Sequence, residues 1–142
     1  MKKALLYIWQ LPQNLLALIL IGIFSLCYGK PEKYDYKGVT YVWFPSWIGG
    51  VSLGCYVLIG DYYEIKIDTV NHEWGHTRQS IIFGPLYLLL IGLPSGTWSL
   101  IDRLLMAVCK KWTWNKSYRI YYSMPWEHWA DELGGVTRHF EE

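Results

Sequence analysis

Cysteine is scarce in this chain. Cys27, Cys55 and Cys109 lie far apart in apolar surroundings, with no CxxC among them. An odd, scattered set argues for buried free thiols rather than disulfides or a thiolate metal site. Charge of either sign is also thin: 13 basic and 12 acidic residues leave a net +1, and neither sign gathers into a run. That excludes the basic stripe a nucleic-acid partner would need. Internal repeats and low-complexity segments are missing. With 142 residues the chain is read as a single domain, 1–142. What it has in excess is aromatic, 9 Trp and 12 Tyr, in a sequence that is 52% hydrophobic. Trp and Tyr favour the headgroup zone of a bilayer, so a membrane interface is the expected setting. An aromatic-rich soluble core is the alternative.

Two lysines precede an apolar run over residues 4–28, as at the start of a signal peptide, but no small-residue cleavage site follows. The whole run is long enough to span a bilayer as a helix; 15–27 alone is not. Gln10, Gln13 and Asn14 interrupt it on one side, which a spanning helix would turn toward protein rather than lipid. The leading lysines place the N-terminus in the cytoplasm, although Lys30, Lys33 and Lys37 flank the other end.

Downstream, 39–44 and 51–59 are rich in Val, Tyr, Trp and Ile and are separated by a turn region at 45–50, with a third short strand expected over 62–67. Together they predict a small antiparallel sheet. A helix is expected over 68–83, with Asp68 or Thr69 as its cap and Gly84-Pro85 as its stop. Residues 86–93 are apolar but too short to span by themselves. A helix over 96–111, a polar aromatic loop over 112–122, and a last helix over 123–133 complete the reading. The fold class is α+β.

The chemistry is concentrated in His72-Glu73-Trp74-Gly75-His76, an HExxH segment in a chain with only 4 histidines. Residues four apart share one face of a helix, so His72 and His76 can aim two imidazoles at one zinc ion. Glu73 lies beside them, where it can act as catalytic base toward a water the ion acidifies. Gly75 is a poor helix former, and its presence suggests that another backbone or a substrate comes close.

A catalytic zinc site needs a third protein ligand and an open position. No third histidine follows at metzincin spacing. The segment Trp126-Glu127-His128-Trp129-Ala130-Asp131 offers Glu127 as third ligand, with Asp131 four residues on to receive a hydrogen bond from a ligand imidazole. Glu132, His128 and Asp102 are rivals for the ligand role. Candidate donors to a developing oxyanion are His128 and Tyr122, with Tyr118 and Tyr121 also near in sequence.

The run His72-Glu73-Trp74-Gly75-His76-Thr77-Arg78-Gln79-Ser80, then Gly84-Pro85-Leu86-Tyr87-Leu88 and Gly92-Leu93-Pro94-Ser95, resembles a small bacterial group of zinc metallopeptidase-like membrane proteins of the glutamate-zincin type. Its HExGHxxQS–GPLYL pattern also occurs in C-terminal domains of Rhs-type repeat proteins. Trp9-Gln10-Leu11-Pro12-Gln13-Asn14 is similar to the group as well. The resemblance implies a minimal zincin-like fold, metallopeptidase chemistry with Zn2+, and Glu127 as the late glutamate. Asp131 stands where the group often has asparagine, which keeps a hydrogen-bond acceptor. The expected protein is a bacterial inner-membrane zinc peptidase acting on a peptide or protein substrate, with a lipid membrane as partner and no protein partner identified. Three readings compete with it. A site-2-type intramembrane protease would put Asp102 on the metal, although the LDG element of that type is missing. A non-catalytic protein would use zinc only to staple helices. A toxin-like effector would have an immunity protein as its partner.

Overall fold

The computed structural model describes residues 3–44, 49–60 and 66–140. The N-terminal apolar run is two helices, α1 (Lys3–Trp9) and α2 (Leu11–Tyr28), divided at Gln10. The division is slight, because the Gln10 N–H still reaches Leu6 O and the Asn14 N–H reaches Gln10 O. Pro12 sits in the first turn of α2, where its missing N–H leaves nothing unpaired. The polar side of this run faces protein, as its spacing predicts: Gln10, Gln13 and Asn14 are all buried. The Gln13 amide donates to the Gly84 carbonyl, Ser80 Oγ donates to Gln10 Oε1 at 2.7 Å, and the Cys55 N–H donates to Asn14 Oδ1 at 2.8 Å.

Four strands follow: β1 (Glu32–Tyr36), β2 (Val39–Phe44), β3 (Gly49–Leu53) and β4 (Tyr56–Gly60). The expected strand over 51–59 is therefore two strands around a Gly54-Cys55 turn. Gly54 has φ +67° and lies against the Asn14 side chain, where a Cβ would not fit. The sheet is mixed rather than antiparallel. Its order is β1-β2-β4-β3, with β2 and β4 parallel and the other two pairs antiparallel. Val57, Leu58 and Ile59 are buried in succession, so β4 takes an interior slot covered on both faces, and β3 is left at the edge. Of the expected strand over 62–67, residues 62–65 lie outside the described residues and Ile67 opens the next helix. Of the expected turn at 45–50, residues 45–48 also lie outside them, and Gly49 and Gly50 belong to β3.

Alternation along the strands sends two apolar sets to opposite faces. Val42, Phe44, Leu53 and Leu58 pack against Ala17 and Ile21 of α2. Val39, Tyr41, Val57 and Ile59 pack against Val70 of α3 (Ile67–Phe83). The sheet thus holds α2 on one side and α3 on the other. The α3 helix starts one residue before Asp68. Neither Asp68 nor Thr69 caps it; Lys66 stands at the cap position with no side-chain bond, and Asp68 lies in the first turn.

After α3 come a 3-10 turn (Gly84–Leu86), a π turn (Leu88–Gly92) and α4 (Leu93–Val108). The segments expected at 86–93 and 96–111 are thereby one helical run, Leu88–Val108. The wide π turn leads into Pro94 at the first turn of α4, where its missing donor is tolerated. The stretch expected as a loop over 112–122 is largely helix, α5 (Trp114–Tyr122), capped by the Thr113 hydroxyl accepting from the Lys116 N–H. The last helix, α6 (Pro125–Gly134), ends at Gly135 in the left-handed region at φ +72°.

Leu11–Tyr28 and Leu88–Val108, of 18 and 21 residues, are long and apolar enough to cross a membrane by length and composition. Within them, 22% and 11% of the residues are buried.

Candidate metal centre

Two helices build the site. α3 carries His72, Glu73 and His76, and α6 carries Glu127 and Asp131. They cross closely because each presents a glycine to the other's backbone. A Cβ on Gly75 would run into the Ala130 carbonyl, and one on Gly134 into the Asn71 carbonyl. The close approach that Gly75 suggests in the sequence is thus an approach of α6.

This seam brings three ligating side chains together. His72 Nε2 and His76 Nε2 each stand 3.1 Å from Glu127 Oε2, and all three residues are buried. A tetrahedral ion with bonds of about 2.0–2.1 Å places its ligands roughly 3.3–3.4 Å apart, close to this spacing. His72, His76 and Glu127 form a buried group that can hold a metal ion.

Every atom facing away from that point is held. His72 Nδ1 lies 2.7 Å from Asp131 Oδ1. His76 Nδ1 lies 2.8 Å from Gln79 Oε1, while Gln79 Nε2 donates to the Trp126 carbonyl at 2.7 Å. A carbonyl only accepts, so the Gln79 amide nitrogen must face it and the amide oxygen must face His76. His76 Nδ1 therefore carries a proton, and Nε2 is the ring nitrogen turned toward Glu127. Glu127 Oε1 accepts from Ser95 Oγ at 2.5 Å, which divides the carboxylate between a holding oxygen and a ligating one. Arg138 grips Asp131 with two bonds of 2.6 and 2.8 Å, donates to Tyr118 OH at 2.7 Å, and lies over the Tyr122 ring.

Charge follows this wiring. Burial by itself lowers the His72 pKa, but hydrogen bonds to Asp131 and Glu127, with the charge of Glu73, outweigh it and bring the value to about 9. Burial pushes Glu127 upward, and the His72 and His76 bonds overcome it and hold the carboxyl well below its ordinary range. Glu73 goes the other way: burial raises its pKa, and the two histidines offset only part of the rise. Its Oε2 is buried without a hydrogen-bond partner among the described residues. Gly50 of β3 leaves the room this carboxylate occupies, since a Cβ there would strike Glu73 Oε1.

Glu73 and His76 line a cleft of about 680 Å³. Leu16 and Leu20 of α2, residues 50–53 of β3, Gly92, Ser95 and Gly96 of the 88–108 run, and Tyr121 of α5 also line it. Tyr121 OH lies 3.4 Å from Ser95 Oγ. The Tyr122 ring packs edge-on against His72 at 5.2 Å between centroids. His128 projects from the exposed side of α6 beside Glu132, at 3.4 Å, and both are well away from the ligand cluster. Asp102 is buried, accepting from Trp112 Nε1 at 2.7 Å and Ser117 Oγ at 2.5 Å. Gln79, Ser95 and Arg138 were not among the residues the sequence singled out for the site. Gln79 and Ser95 do stand within the HExGHxxQS and GxPS runs, which was the available signal; Arg138, in the tail beyond Gly135, has none.

Compared with models of known protein families, with curated proteins and with solved structures, the chain matches none.

Proposed function

We propose that the chain is a membrane-associated, zinc-dependent hydrolase of the metallopeptidase type, in which His72, His76 and Glu127 hold the ion and Glu73 is the general base. One observation carries the reading: both imidazole Nε2 atoms stand 3.1 Å from one Glu127 oxygen, and one of those histidines, His76, lines a cleft together with Glu73. Two imidazole nitrogens and a carboxylate oxygen suit zinc, and Asp131 and Gln79 orient the rings as zinc ligands require. The partnerless Glu73 oxygen fits the same assignment, because a buried carboxylate oxygen is costly unless something polar reaches it.

An ion held there supplies Lewis acidity to a substrate carbonyl and acidifies water beside it. Glu73 takes the proton of the attacking water and passes it to the departing amine. Its raised pKa suits both transfers. Tyr121, on the cleft wall, is the hydroxyl best placed to donate to the developing oxyanion. Tyr122 sits behind His72 and His128 faces outward, so neither is assigned that role. A peptide is the favoured substrate because β3, an edge strand, lines the cleft, and a strand edge binds extended backbone. An HExxH helix flanked by an edge strand, with a third ligand from a later helix, supports the minimal zincin-like description.

The competing readings are less well supported. Three candidate ligands converge among the described residues and a cleft reaches one of them, His76, whereas a stapling zinc takes four. Asp102, the ligand a site-2-type centre would use, is engaged with Trp112 and Ser117.

The test is Glu73→Gln in zinc-loaded protein. Hydrolysis of a peptide library should fall by roughly 10²–10⁴ with zinc content unchanged. Equal rates in the two proteins would sink the assignment.

A further inference from the structure

The walls of the cleft differ from those of a site that takes peptides from water. One wall is α2 through Leu16 and Leu20, and the opposite wall is the 88–108 helix through Gly92, Gly96, Ser99 and Leu100. These are the two helices of membrane-spanning length. Their rims are apolar and open. Leu16, Leu93 and Leu100 line the cleft yet remain exposed, and Ile19, Ile23, Leu89 and Leu104 continue the apolar surface on either side.

Between these walls runs β3, and the way it is hydrogen-bonded fixes which of its groups face the cleft. Tyr87 OH donates to Ser52 O at 3.2 Å, so Ser52 turns its backbone groups away from β4. Backbone direction alternates along a strand of an antiparallel pair, so the N–H and C=O of Gly50 also point outward. Gly50 lies beside Glu73, and Tyr87 closes the edge one step further along. An outward backbone pair between apolar walls is costly in a bilayer, where no water satisfies it and each unpaired group costs several kcal/mol. An extended chain laid along β3 would supply partners for these groups. The small residues Gly92, Gly96 and Ser99 on the facing helix leave it room.

We infer that the cleft admits an apolar segment of another membrane polypeptide sideways from the bilayer, between α2 and the 88–108 helix, and binds it extended against the Gly50 edge of β3. This rests on the proposed peptidase reading and names its substrate class. A helical segment must unwind to pair with β3, so the preferred segments are apolar with residues that weaken a helix. Arg103 on the same wall is consistent with this, because ionisable residues of membrane helices face cavities rather than lipid.

The experiment uses the zinc-loaded full chain carrying Glu73→Gln in dioleoylphosphatidylcholine vesicles. The probes are a leucine-rich spanning peptide with a central Gly-Pro pair and a photo-crosslinker, and a polar water-soluble peptide of equal length with the same crosslinker. The spanning peptide should crosslink to β3 and to the cleft side of the 88–108 helix, and the polar one should not. Leu16→Arg and Leu100→Arg should each cut that crosslinking roughly tenfold, the loss expected when 1.4 kcal/mol of binding is removed. Leu26→Ser, at the exposed end of α2 and outside the cleft lining, should leave it unchanged. Crosslinks confined to outward surfaces, or equal capture of the polar peptide, would overturn the inference. Uptake as described, together with a wild-type protein that binds zinc but cuts neither peptide, would overturn the peptidase reading and leave the entry route standing.

Discussion

Glu127 is fully buried, with one oxygen on Ser95 and the other facing two imidazoles. The residues behind the ligands therefore set the site as much as the ligands do. Asp131→Ala removes the acceptor that orients His72 and the carboxylate that Arg138 grips, so zinc affinity should drop about 10–100-fold in a chelator competition. The proton on His72 gives a second prediction. Its pKa in the folded, metal-free protein is raised from 6.5 to about 9. The stability this contributes is fully present below pH 6.5 and is lost as pH rises through about 9. Zinc must displace that proton, so binding at pH 7.5 should release about one proton from His72 and weaken as pH falls. Calorimetry in buffers of different ionisation enthalpy measures this, and a buffer-independent heat would contradict it. The sequence exposed the candidate ligands because the four-residue spacing puts His72 and His76 on one helix face. Asp131 followed from its spacing to Glu127. Arg138 was not legible, since nothing in a tail beyond a helix-ending glycine says where the chain returns.

At the scale of elements, the α3–α6 seam decides whether Glu127 reaches the histidines. Gly75→Ala separates two effects of opposite sign. Helix propensity favours alanine by about 1 kcal/mol. Against this, the new Cβ meets the Ala130 carbonyl, a backbone atom that no rotamer change can move aside. Overpacking costs roughly 1–3 kcal/mol, so the net expectation is a lower melting temperature and weaker zinc binding, because α6 carries the third ligand. A variant as stable as wild type with full zinc affinity would show that the seam is looser than described. Cap, proline and glycine signals located α3 and α6 to within two residues. They failed where the decisive contact was distant in sequence. Gly54 looks like one glycine inside an apolar strand, and only its fit against Asn14 makes it a turn between β3 and β4. Pro94 and the glycines around it look like breakers, yet the π turn carries the helix through them. The loop expected over 112–122 hid α5 because its aromatic residues are poor helix formers, and tertiary packing overrode that preference.

For the whole molecule, two mostly exposed apolar helices set the same expectation as the tryptophan and tyrosine content. The chain should remain in the membrane fraction after high-salt and alkaline-carbonate washes and leave it only with detergent. Recovery in the soluble fraction as a monodisperse species would contradict the membrane reading. The central claim concerns the metal, and it is tested most directly by X-ray absorption on the zinc-loaded protein. One zinc per chain is expected at about 2.0–2.1 Å from two imidazole nitrogens and one carboxylate oxygen, with a fourth light-atom ligand that added small anions displace. Glu127→Gln should disturb that signal, and Asp102→Asn should leave it unchanged. Four protein ligands, or a spectrum indifferent to Glu127→Gln, would contradict it.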